Sequence, residues 1–181
     1  MLPLGTGLDR ALADAFLLTA PLEEVMKMIA LLLGIGWSRD LDEPLDGIVY
    51  GTAVGLGFAS VENVFYVTGA IEHGAAEAAY VAGLRGFTAT LVHVSTSGLL
   101  GFFLGLTKFR ARRRRWWLVT VGLLIAIAFH GAYDAFLSGS GVGWIALLLV
   151  LPAMMYLLSM KIHWARGRSE EYHGRTGRRP G

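Results

Sequence analysis

Residues 46–70 read DGIVYGTAVGLGFASVENVFYVTGA. An α-helix needs about 20 mainly apolar residues to cross a hydrocarbon core, and between Asp46 and the end of this run the only charged side chain is Glu62. The stretch therefore predicts a transmembrane helix. At about 100° per residue, Gly47, Gly51, Gly55 and Ala59 fall on one narrow ridge, and Glu62 lies within its angular span. A ridge of small residues lets a neighbouring backbone come close, so the helix is expected to carry its one charge into a tight helix–helix contact.

Four further runs have the same character, at 11–36, 83–107, 117–137 and 142–161. The chain has 181 residues, 54% hydrophobic and only 17% charged, too apolar for an ordinary soluble domain. The reading is all-α: a polytopic transmembrane bundle of about five helices with a polar site in its interior. Cysteine is absent, which removes disulfides, thiolate nucleophiles and thiolate metal ligands.

The connections are polar. Residues 37–46 carry Pro44 and several carboxylates, and 72–80 reads as a longer amphipathic link lying at the interface. Basic residues collect in Lys108, Arg110 and Arg112–Arg115, and again from Lys161 onward. Lys and Arg in short loops favour the cytoplasm, so loop 108–115 and the carboxyl-terminal tail are placed inside and the amino terminus outside. A multi-pass protein of the cell membrane is expected, with a transmembrane domain over 1–162 and a basic, disordered cytoplasmic tail over 163–181. No cleavable targeting segment is read ahead of the first run. The arginine block is a topology signal and an anionic-lipid contact, not a nucleic-acid site.

Seven side chains do not belong in lipid. The first run holds Glu23, Glu24 and Lys27, the second Glu62, the third His93, and the fourth His130 and Asp134. A charge at a helix centre costs about 2.5–3.5 kcal/mol even on lenient scales, so these groups must face one another or water. In the third run Gly86, Thr90, His93, Ser97 and Gly101 share one face, expected to point inward. His130 and Asp134 stand one turn apart, which lets the carboxylate fix an imidazole tautomer. Taken singly, each group has a plain structural reading: Glu23 and Lys27 as an i, i+4 ion pair, Glu62 as a bonded carboxyl, His93 as a packing histidine. That leaves Glu24 without a partner, and seven such groups on four helices argue for a site.

Which chemistry they support follows partly by elimination. His-Glu-x-x-His, which sets two zinc ligands and a base on one helix face, is absent. An aspartyl dyad would need Asp134 with Asp14, near the end of the first run, and a Ser97–His130 dyad leaves Glu23, Glu24 and Glu62 unexplained. What remains is a glutamate acting on water, with imidazoles and a second carboxylate to bind a metal or stabilise an oxyanion.

The successive stretches Glu23-Glu24-Val-Met-Lys27, Phe58-Ala-Ser-Val-Glu62-Asn63, His93 and His130-Gly-Ala-Tyr-Asp134 resemble, in order and in helix placement, the motifs of PrsW-type intramembrane proteases, over roughly Pro21 to Phe136. Those are similar in turn to the type II CAAX prenyl endopeptidases. The resemblance implies an endopeptidase that hydrolyses peptide bonds of membrane-associated proteins, an anti-sigma factor among them. It implies Glu23, Glu24, Lys27, Glu62, His93, His130 and Asp134 as the catalytic set: Glu23 or Glu24 as general base, Glu62, His93 and His130 as metal ligands or electrostatic stabilisers, Asp134 orienting His130, and Lys27 holding one glutamate ionised. A divalent metal such as zinc and a metal-free glutamate mechanism are both open. Family members commonly carry further helices before the double glutamate, so a shortened start and a minimal form are both open too. The alternative from another class is a non-catalytic scaffold or proton-linked carrier, in which the same charges lock helices or relay protons. A protease needs a polar cavity joining the glutamates to the histidines; a scaffold does not.

Overall fold

The structure is a computed structural model and describes residues 7–36, 38, 40–138 and 141–176. Five helical rods follow one another, and among the described residues there is no strand. The first, α1, runs through Gly7–Asp14, a π-helical turn at Ala15–Thr19, and Ala20–Gly34. Then come α2 (Pro44–Ile71), α3 (Ala75–Leu106, closed by a 3-10 turn at Thr107–Phe109) and α4 (Arg112–Ser138). The last, α5, comprises Gly143–Ile145, a second π turn at Ala146–Val150, and Leu151–Thr176.

Both π turns have the same cause. Each ends just before a proline, Pro21 or Pro152, whose ring has no N–H to give and would collide with the carbonyl four residues earlier. Widening the preceding turn relieves that collision without ending the helix. At the start of α2, Pro44 takes the first helical position, where its missing N–H costs nothing, and Asp46 accepts from the Glu43 backbone N–H at 2.9 Å.

Four rods, α2 to α5, are long and apolar enough to cross a membrane. The first differs because its centre carries three charges, and the bundle fully buries two of them: Glu24 and Lys27 are each 0% exposed. Its outer face is apolar, with Leu17, Leu22, Met26, Ile29 and Leu33 exposed, as a lipid-facing surface requires.

α2 and α3 form the closest pair. A methyl group added at Gly47 would meet the Gly101 carbonyl, at Gly51 the Ser97 carbonyl, and at Gly55 the His93 carbonyl; one added at Gly101 would meet the Gly47 carbonyl. The small-residue ridge read from the sequence is thus one half of a double ridge, with His93, Ser97 and Gly101 opposite. This contact fixes the depth and rotation of His93 against α2. It does not extend the full length of α3: Gly86 is exposed with nothing within 4 Å of an added Cβ, so that end of the expected inward face looks outward.

Two connections differ from expectation. The amphipathic link at 72–80 shrinks to Glu72–Gly74, because Gly74 at φ 115° turns the chain sharply and an alanine-rich stretch restarts the helix at Ala75. The tail expected from 163 continues α5 as helix to Thr176, where Ser169 donates to Glu43 at 2.9 Å, and residues 177–181 lie outside those described. α5 buries Met154, Leu158 and Ala165 against the bundle.

Candidate active site

The seven side chains named above converge from four rods into one cluster, tied together mostly by hydrogen bonds. On α1, Lys27 Nζ donates to Glu24 Oε1 at 2.6 Å and lies 2.7 Å from His93 Nδ1 on α3. The other His93 nitrogen, Nε2, is 2.7 Å from Glu62 Oε2 on α2. On α4, His130 Nδ1 is 2.7 Å from Glu24 Oε1, and its Nε2 is 3.3 Å from Asp134 Oδ2. Thr96 adds a third donor to Glu24 Oε1, at 3.1 Å.

The glutamate expected to lack a partner is therefore the most heavily bonded group of the set. Lys27 pairs with Glu24, three residues away, while the i, i+4 pair with Glu23 is stretched to 3.9 Å. Burial decides this: Glu24 and Lys27 are wholly inside, where an ionised group must have close partners, whereas the Glu23 side chain keeps 15% of its surface.

Glu23 is the incomplete member. Its Oε2 is buried with no hydrogen-bond partner among the described residues, yet lies 3.7 Å from His130 Nε2, 3.9 Å from Lys27 Nζ and 4.0 Å from His93 Nδ1. Three polar atoms at that separation are too far for direct bonds and suitably spaced for one bridging water. Phe58 closes the site from α2, with its ring 5.3 Å from His93 and 4.7 Å from Lys27 Nζ.

A cavity of about 280 Å³ leads to the imidazoles, lined by Asp14, Glu62, Tyr66, Arg85, His93 and Asp134 among others. All of these except His93, which lies just past the middle of α3, are in the halves of the rods nearer the Glu72–Gly74 turn, away from the basic turn at 107–111. His130 is eight residues from Ser138 and eighteen from Arg112, about 12 Å and 27 Å at 1.5 Å per residue. The cavity thus opens toward the end opposite the arginines.

Other residues weighed from the sequence are placed differently. Ser97 Oγ is buried with no partner among the described residues, so it makes no dyad with His130. Asp14 lines the cavity mouth. Asn63 Nδ2 donates to Thr90 at 3.2 Å, and Tyr133 to Thr88 at 2.7 Å. Arg85 was not singled out from the sequence: it is 3.0 Å from Glu62 Oε2, and its guanidinium lies 3.4 Å above the Tyr66 ring. The signal was faint, a single arginine eight residues before His93 in an otherwise apolar run.

The profile of the PrsW family intramembrane metalloproteases matches residues 4–160. The chain belongs to the PrsW family. Among PrsW relatives, Protease PrsW of Bacillus subtilis (strain 168) is 36% identical over 143 residues, 79% of this chain and 61% of that protein. Protease PrsW of Geobacillus kaustophilus is 32% identical over 155 residues, 86% and 65%, and that of Shouchella clausii 34% over 150 residues, 83% and 65%. The chain thus spans 61–65% of the length of these PrsW proteins. No solved structure matches it.

The PrsW family description names a metal, and donor atoms of Glu23, His93 and His130 do lie within 4.8 Å of one another. Glu62 is outside this group, bonded directly to His93. A catalytic zinc takes three protein ligands at about 2.0–2.2 Å, and His93 has no nitrogen to offer one. Its Nε2 faces Glu62 and its Nδ1 faces the Lys27 ammonium, a group that only donates. With a cation already set against His93 and near Glu23, the residues as arranged do not fit a bound metal.

Proposed function

We propose that the chain hydrolyses peptide bonds of membrane-anchored proteins with a water molecule activated by Glu23, without a metal. The observation that carries this reading is the unpartnered Glu23 oxygen facing His130, Lys27 and His93 across 3.7–4.0 Å. Glu24 also has one free buried oxygen, but its other oxygen holds three donors and the residue has no exposed surface. With 15% of its side-chain surface exposed, Glu23 is the more accessible of the two carboxylates.

In this reading Glu23 takes a proton from the water as its oxygen attacks the scissile carbonyl carbon. Lys27 supplies an N–H donor to the developing oxyanion, and His130, whose Nδ1 donates to Glu24, supplies a second from Nε2 as the imidazolium. When the C–N bond breaks, Glu23 returns the proton to the leaving amine. Glu24 and Asp134 bracket His130 and orient it, and Glu62 does the same for His93.

With the basic loop 108–115 and the tail from 163 on the cytoplasmic side of the cell membrane, the cavity opens outward, and cleavage falls in the outer part of a membrane protein substrate of the anti-sigma-factor kind. The scaffold alternative accounts for the Glu24–Lys27 pair but needs no cavity. The polar cavity reaches both imidazoles and Glu62, and Glu23 Oε2 stands just beyond its lining, 3.7 Å from His130 Nε2, which supports the hydrolytic reading over it.

The test is cleavage of a single-pass substrate by the chain reconstituted in lipid, followed by mass spectrometry of the fragments. Glu23→Ala, Glu24→Ala and His130→Ala are each expected to remove cleavage. Ser97→Ala, as the control against a serine dyad, is expected to stay within about threefold of the parent. A zinc chelator is expected to change turnover by no more than about twofold. Undiminished cleavage in all three alanine variants would remove the mechanism; chelator-sensitive cleavage would remove its metal-free form.

A further inference from the structure

Beyond Ala59 the glycine contact between α2 and α3 is over: Gly69, Gly83 and Gly86 each have nothing within 4 Å of an added Cβ. What ties the rods there is polar. Glu62 Oε2 faces both His93 Nε2, at 2.7 Å, and Arg85 Nη2, at 3.0 Å. Tyr66, one turn on from Glu62, holds the guanidinium against its ring at 3.4 Å, a cation–π contact. All four side chains line the cavity.

We propose that Arg85 is a positioning residue that acts through Glu62 to hold His93 in a single tautomer, with its proton on Nε2. The reason is directional. A guanidinium has no acceptor, so the Glu62 oxygen facing Arg85 must accept, and His93 Nε2 must donate to it. At the far side of the ring the Lys27 ammonium, 2.7 Å from Nδ1, also only donates, so Nδ1 must accept. Two donor-only groups, at opposite ends of the chain Arg85–Glu62–His93–Lys27, enforce one proton arrangement. Without Arg85, Glu62 is free to rotate or to present a hydroxyl, and His93, no longer held at Nε2, is free to swing off Lys27 and carry its proton on either nitrogen.

Only the kinetic part of the test rests on the hydrolytic reading. In the full chain in lipid, labelled with 15N-histidine and with His93 assigned by its loss in His93→Gln, the parent is expected to show Nε2 protonated and Nδ1 bare. Arg85→Gln is expected to show both tautomers, and Arg85→Lys to keep one. Should Arg85→Gln fail to fold, Tyr66→Leu, which removes the supporting ring, is expected to give the same mixing. An unchanged His93 spectrum in the folded glutamine or leucine variant overturns the proposal whether or not the chain cleaves anything.

Where cleavage is measured, Arg85→Gln is expected to lower kcat about 10- to 100-fold, as removal of an orienting partner does, with KM held within about threefold. Arg85→Lys should recover most of that loss, and Arg85→Gln with Glu62→Gln should be no worse than Glu62→Gln alone, since both act through one contact. Losses that multiply, or full kcat in Arg85→Gln beside an inactive Glu23→Ala, would overturn the role of Arg85 and leave the hydrolytic reading standing.

Discussion

Replacing Glu23 by glutamine is expected to lower kcat by about 10²- to 10⁴-fold, the share a positioned general base contributes, with KM little changed. Glutamine keeps the size of the side chain and a carbonyl oxygen, so the fold and the bound substrate should survive. It does not keep the ability to take a proton from water. The prediction is sharp because Glu23 carries almost none of the structural load. Its Oε2 makes no hydrogen bond among the described residues, while neighbouring Glu24 binds Lys27, Thr96 and His130 at once. The two adjacent glutamates should therefore separate in experiment: Glu23→Gln gives a stable, inactive protein, and Glu24→Gln gives one that is also destabilised. A Glu23→Gln protein retaining turnover within about tenfold of the parent would move the base elsewhere.

The second large effect concerns the fold. Gly101→Val is expected to destabilise the bundle by at least the upper end of the about 1–3 kcal/mol typical of overpacking. An added Cβ meets the Gly47 carbonyl and the Gly51 backbone rather than a side chain that can swing aside. Both backbones must separate, and His93, whose carbonyl packs on Gly55 in the same contact, moves with α3 away from Lys27. Loss of stability should thus come with loss of activity. Gly69→Val is the comparison, since nothing lies within 4 Å of its Cβ; its effect should stay within about 0.5 kcal/mol. Unfolding titrations in mixed detergent measure both, and equal stability of the two variants would contradict the double ridge.

Much of this was legible in the sequence because lipid makes the rules strict. Five apolar runs became five rods, and the period of Gly47, Gly51, Gly55 and Ala59 marked the face of α2 that meets α3. The rarity of charge in such runs also singled out Glu23, Glu24, Lys27, Glu62, His93, His130 and Asp134, which the structure gathers into one cluster. What could not be read was which side chains pair. Spacing along α1 suggested Glu23 with Lys27; the actual partner, Glu24, follows from how deeply each carboxylate is buried, a property of the bundle and not of one helix. Arg85 did not stand out because nothing local ties it to Glu62, twenty-three residues earlier. The short turn at Glu72–Gly74 turned on a single positive φ at Gly74, which composition does not announce.

The most direct measurement is an experimental density map, sharp enough to place single atoms, of the space bounded by Glu23 Oε2, His93 Nδ1, Lys27 Nζ and His130 Nε2. The expected result is one water-sized peak at hydrogen-bond distance, about 2.6–3.2 Å, from Glu23 and His130. A peak with anomalous signal at about 2.0–2.2 Å from Glu23 and both imidazoles, with Lys27 displaced, would contradict it. So would a map in which these side chains turn outward and share no common space.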